Sequence, residues 1–116
     1  MPGNFPQRGD IYHVEFDPPV GPHPAVIVTA DVINQNTDTV VLAVVTSKGV
    51  DRIYPHEFRI PKGLLRDRSK VKCHTLITWP KETLNENTYI GTIDQRDMQG
   101  LDIALEKALD LWLKTG

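Results

Sequence analysis

Cysteine is nearly absent from this 116-residue chain: Cys73 stands alone. A single thiol closes no internal disulfide and builds no multi-cysteine zinc site, so the fold must rest on an apolar core, and a reducing compartment suits it. Long apolar runs are missing too. No stretch approaches the ~20 residues that span a bilayer, and no charged start leads into an apolar core and a cleavage site. The expectation is a cytoplasmic protein with no membrane partner. Neither sign of charge is in excess: thirteen Lys and Arg stand against fifteen Asp and Glu, a formal net charge of −2. The overall field therefore does not attract a polyanion. A Gly-rich phosphate loop is lacking, and four histidines without ligand-like spacing argue against a metal site.

What the chain does contain is strand-like alternation. A length of 116 residues is that of one ordinary domain, so residues 1–116 are expected to fold as a unit, with 1–7 (Pro2, Gly3, Pro6) as a flexible N-terminal arm. Tyr12, Val14 and Phe16 alternate with Ile11, His13 and Glu15, the pattern of a half-buried strand. Residues 17–24 hold four prolines and a glycine and read as a rigid loop. Apolar segments at 25–29 and 39–46 predict central strands around a polar stretch, Asn34 to Asp38. Further strands are expected at 56–60, 70–79 and 89–93, with a helical turn at 61–66. Asp94 reads as a helix N-cap, with Ile93 and Met98 spaced as a hydrophobic staple. Met98, Leu101, Leu105, Ala108 and Trp112 then recur at helical spacing, widened by Ala104, Leu109 and Leu111, with Gly100 as the weak point. The fold class that follows is mainly β with a C-terminal α-helix, an SH3-like small barrel. A local run of cations, Arg59, Lys62, Arg66, Arg68, Lys70 and Lys72, reads first as a solvated charged face.

Arg8-Gly9-Asp10 opens the first predicted strand, a Pro/Gly loop ends in His23-Pro24 ahead of an apolar strand, and Thr46 closes the next one. In this order, with a terminal helix behind them, these features resemble the MazF/PemK family from Arg8 to about Leu113. The resemblance implies a MazF/PemK/CcdB-like fold and a toxin of a type II toxin–antitoxin system. It implies a homodimer that cuts single-stranded RNA in a groove without metal or cofactor, leaving 2′,3′-cyclic phosphate and 5′-hydroxyl ends. A cognate antitoxin would lay its extended tail in that groove. Thr46 matches the family's important threonine, and Ser47 and Lys48 follow it. His23 stands where the family usually has a catalytic arginine, and the loop before it is shorter. Lys72-Cys73-His74 falls where the PemK-like branch carries Arg-Cys-Asp, so the positive charge is kept and the acid is lost.

Cleaving RNA through its own 2′-hydroxyl needs a base, a cation for the crowded phosphorane and an acid for the leaving 5′-oxygen. His23 and His74 titrate nearest neutrality and are the candidate base and acid, Lys72 the candidate cation, and Thr46 the donor to a phosphate oxygen. Strand parity sets Lys72, His74, Leu76 and Thr78 on one face and Val71, Cys73, Thr75, Ile77 and Trp79 on the other. Thr78, with Ser47 and Lys48, is therefore a candidate RNA contact, and Cys73 a small core residue. His13 and His56 have no positional support. Two other readings stay open. One is a non-catalytic toxin that binds a protein, as gyrase-directed relatives do, with Leu111-Trp112-Leu113 as a contact. The other is a degenerate member that retains only binding.

Overall fold

In the computed structural model, which describes residues 5–111, the predicted alternation of Tyr12, Val14 and Phe16 is realised in strand β1 (Asp10–Glu15) and the residue after it. There follow β2 (Pro22–Ile27), α1 (Asp31–Asn36), β3 (Thr39–Thr46), β4 (Glu57–Arg59), β5 (Lys70–Pro80), a 3₁₀ turn at Lys81–Thr83, β6 (Tyr89–Thr92) and α2 (Gln95–Leu109). The strands form one curled antiparallel sheet in the order β4-β5-β3-β2-β1-β6. This is the expected mainly β fold with a C-terminal helix.

Both faces of the sheet are covered. On one, α2 lays Met98, Leu101, Ala104 and Leu105 on Ile11, Val26, Ala43, Val45, Val71 and Cys73. On the other, Tyr12, Val14, Phe16, Ala25, Ile27, Val40, Leu42 and Val44 pack with Leu84. Burying one such aliphatic or aromatic side chain contributes roughly 1.5–3 kcal/mol, so the alternating strands are the main stabilising device. Asp94 caps α2 as expected, accepting from the Arg96 N–H. The stripe on α2 is shorter than expected: the helix ends at Asp110 in the left-handed conformation, and Leu109 and Leu111 stay half exposed. Trp112 lies outside the described residues.

Four further readings are corrected. Strand β2 begins at Pro22, inside the expected loop. The His13 N–H donates to Thr88 O on the β6 side, so the His13–Pro24 pair exchanges no hydrogen bond and the missing proline donor costs the β1–β2 ladder nothing. The polar stretch before β3 contains α1, whose Val32 and Ile33 face solvent, leaving no amphipathic stripe to read; buried Asn34 holds it to Thr29. Residues 61–66 form turns rather than a helical turn. Order also reaches back beyond Arg8: Pro6 is buried and the Gln7 N–H donates to Asp10 Oδ2 at 2.8 Å.

The Arg8-Gly9-Asp10 motif is architectural. Arg8 bridges Asp102 of α2 at 2.7 Å and donates to Val28 O. Gly9 has φ +93° and lies against Met98, where a β-carbon would sit 3.0 Å from Sδ. Asp10, fully buried, accepts from Gln7 and from the Thr92 hydroxyl, tying β1 to β6.

Candidate active site

The register places the site. Ala25 lies opposite Val44, so two residues further along the same ladder His23 comes beside Thr46; Thr46 lies opposite Lys70, and Lys70 opposite Arg59. One row of side chains thus crosses β2, β3, β5 and β4. His23 Nδ1 lies 2.8 Å from Val45 O. A carbonyl only accepts, so Nδ1 carries a proton, and in the neutral ring the lone pair is on Nε2. Thr46 Oγ1 accepts from the Lys48 N–H at 3.1 Å, which leaves the hydroxyl proton to donate outward.

His23 and Thr46 share a cleft of about 440 Å³. Pro22, Pro24, Val45, Ser47 and Lys48 line it with them, and Leu64, Leu65, Arg66, Asp67, Ser69 and Ile90 complete it. A second hollow of about 290 Å³ shares Leu65 to Asp67 and Ser69 and adds Arg59, Lys62 and Arg68. A lining of apolar side chains with Lys48 and Arg66, beside one acid, Asp67, accommodates a ligand that is planar in one part and anionic in another.

Of the residues singled out from sequence, His23, Thr46, Ser47 and Lys48 come together here. Lys72 is on the same sheet face, opposite Val44 and one row from Thr46. His74 does not line the cleft; its ring meets that of His56 at 4.8 Å and 81°. Thr78 lies opposite Val41, on the sheet face away from Thr46. The cause is a bulge. The register passes from Ala43–Leu76 to Val44–Lys72, leaving Cys73, His74 and Thr75 without partners on β3. Three extra residues reverse the parity of β5: Val71, Cys73 and Leu76 belong to the α2 core, whereas Ile77 and Trp79 pack on the opposite core. The grouping of Cys73 with Ile77 and Trp79 is therefore overturned. Arg66 was not singled out as a site residue. Its signal was present in the run of cations from Arg59 to Lys72, but not the fold that turns one of them into the cleft.

Beside the cleft, Lys70 is buried, and its ammonium donates to Gly49 O (3.0 Å), Arg52 O (3.2 Å) and Glu57 Oε1 (2.9 Å). Glu57 Oε1 also accepts from the Tyr54 N–H at 3.0 Å. Burial would push the Glu57 carboxyl up; the Tyr54 N–H and the Lys70 ammonium outweigh it and hold the group below its usual range.

Residues 7–109 match the family described as PemK-like, MazF-like toxin of type II toxin–antitoxin system. The chain belongs to that family. Solved structures agree. One similar to this chain is an endoribonuclease in complex with its cognate antitoxin from a mycobacterial species: 27% identity, TM-score 0.77, covering 94% of this chain and 99% of that one. A mycobacterial endoribonuclease is 26% identical with TM-score 0.76, covering 97% and 100%. MazF from Deinococcus radiodurans, at 18% identity and TM-score 0.74 over 94% and 100%, shares the fold. No curated protein matches the sequence. Among the described residues of this PemK-like toxin, no helix is long and apolar enough to cross a membrane.

Proposed function

We propose that this PemK/MazF toxin is a metal-independent endoribonuclease that cuts single-stranded RNA at the His23–Thr46 cleft. The observation that carries the reading is the hydrogen bond from His23 Nδ1 to Val45 O, which holds the imidazole at the cleft it shares with Thr46, at the chain position where the family usually has an arginine. In this scheme Nε2 removes the 2′-hydroxyl proton and the resulting alkoxide attacks the adjacent phosphorus. The Thr46 hydroxyl donates to a non-bridging oxygen, and Arg66 stabilises the negative charge that the missing arginine would otherwise meet. Lys48 delivers a proton to the leaving 5′-oxygen, so the products are a 2′,3′-cyclic phosphate and a 5′-hydroxyl. Lys72 serves a neighbouring phosphate from the same face, and Ser47 supports the one at Thr46. His74 is not a lining residue of the cleft, so cations rather than a second imidazole complete the reaction. Residues 1–116 act as a single domain, the toxin works in the cytoplasm as a homodimer, and a cognate antitoxin occupies the same groove.

The test is incubation of the purified protein with a long single-stranded RNA in EDTA, with mapped fragment ends, for wild type, His23→Ala, Thr46→Ala and His13→Ala. Wild type and His13→Ala should leave 5′-hydroxyl ends at a short recurring sequence. His23→Ala should lose about 100-fold or more of the rate, the usual scale of a general base. Equal cleavage by His23→Ala would remove the histidine mechanism. No cleavage by wild type at any concentration would favour a toxin that acts by binding a protein.

A further inference from the structure

A row of planar side chains lies on the opposite side of Thr46 from His23, where the segment between β3 and β4 meets the bulge of β5. The Arg52 guanidinium sits 5.0 Å from the Tyr54 ring centroid. Tyr54 stacks on His56 with centroids 5.9 Å apart and planes 20° apart, and His56 meets His74 edge to face at 4.8 Å. These rings build neither core. Tyr12–Tyr89 and Phe16–Trp79 are the aromatic pairs of the packed interior, whereas Tyr54 is 43% exposed and His74 is exposed. Tyr54 already has Arg52, His56 and the Lys70 ammonium, 5.8 Å from its centroid, against it, and the stack stays open to solvent at its two ends, exposed Arg52 and exposed His74, where a further planar group can extend it.

The row is also held firmly. Buried Lys70, opposite Thr46 in the sheet, ties down the carbonyls of Gly49 and Arg52, and through Glu57 it fixes the Tyr54 N–H. Burying an ammonium is expensive unless its donors are met, and here two backbone carbonyls and a carboxylate meet them. Three anchors within residues 49–57 give that segment one geometry relative to Thr46. The nearby acids are occupied, Glu57 by Lys70 and Asp51 by Arg68 at 3.5 Å, while Arg52 and Lys72 border the row.

We infer that Tyr54, His56 and His74, bordered by Arg52 and Lys72, form a base-stacking subsite for single-stranded RNA beyond the Thr46 side of the cleavage cleft. The inference rests on the RNA-cleaving reading and adds a recognition element to it. Flat rings beside cations take nucleobases by stacking and their phosphates by charge, with tolerance for base identity because every base has a π-face. Lys70 is the positioning residue of this subsite.

The experiment measures binding of a fluorescein-labelled, uncleavable 2′-O-methyl RNA of about a dozen nucleotides in EDTA by fluorescence anisotropy. Wild type, Tyr54→Phe, Tyr54→Leu and His74→Leu are compared, each checked by thermal melting. Stacking of one base contributes ~1–3 kcal/mol, so Tyr54→Leu should weaken binding roughly 5- to 150-fold, while Tyr54→Phe stays close to wild type. His74→Leu, at an exposed position, should weaken binding in the same direction. Unchanged binding by both leucine variants, with wild type still binding and cleaving RNA, overturns the subsite and leaves the cleavage reading intact. Equal losses in Tyr54→Phe and Tyr54→Leu would mean a hydroxyl contact and also overturn it. Failure of wild type to bind or cleave any RNA overturns the cleavage reading itself.

Discussion

Among single residues, environment separates candidates that the sequence presents as equals. Of the four histidines, His13 is exposed beside Glu15, His23 is oriented by a backbone carbonyl at the cleft, and His56 and His74 share an edge-to-face contact. Position in the chain could nominate His23, because it precedes Pro24 ahead of an apolar strand. It could not pair His56 with His74, since that contact depends on a bulge. Cys73 was legible as a core residue, and its surroundings make it inert: burial, then the nearby Glu57 charge, pushes its thiol up to about 12. The native protein should therefore resist iodoacetamide at pH 8 over a period in which the denatured chain alkylates completely, as read by mass spectrometry. Rapid native labelling would show that the α2 core opens around it.

Among elements, α2 illustrates how a weak residue can be a fitted one. Gly100 lowers helix propensity by about 1 kcal/mol relative to alanine. Yet a β-carbon there would lie 2.8 Å from Cε1 of Phe58, the residue through which β4 packs on the helix. Overpacking of this kind costs roughly 1–3 kcal/mol, enough to outweigh the propensity gain. Gly100→Ala should lower Tm by several degrees, and Phe58→Leu should cost less in that background than in wild type. A higher Tm for Gly100→Ala would show that the Phe58 ring moves aside freely. Strands with clear alternation and a capped helix with a long stripe were legible because burial on one face writes itself into the sequence. Helix α1 was not, because its fixing contacts are the polar bonds of Asn34 rather than an apolar face.

For the whole molecule, a net charge of −2 conceals an uneven surface. Lys48, Arg59, Lys62, Arg66 and Arg68 all border the cleft or the hollow beside it. Total charge gave no hint of this; the run from Arg59 to Arg68 was legible in the sequence, and folding brings Lys48 to it. Global stability should also record the buried Lys70–Glu57 pair. The Glu57 carboxyl is held below its unfolded value of 4.5, so its contribution is present above that pH and is lost as pH falls through the folded pKa. Asp10, raised chiefly by burial, acts in the opposite sense, its contribution being full below 3.8 and lost as pH rises. Glu57→Gln should be less stable than wild type at pH 7 and should lose less stability on acidification through pH 4, in denaturant titrations at each pH. Parallel pH profiles would show that the pair adds nothing specific. The bulge at Cys73 to Thr75 has a final consequence for how such a chain can vary. Strand β5 supplies both cores because the unpaired residues take up the change of face while each half keeps its own partners on β3. A residue gained or lost between Cys73 and Thr75 alters only the unpaired segment, whereas one gained or lost within a paired half shifts its register and turns its side chains to the wrong core.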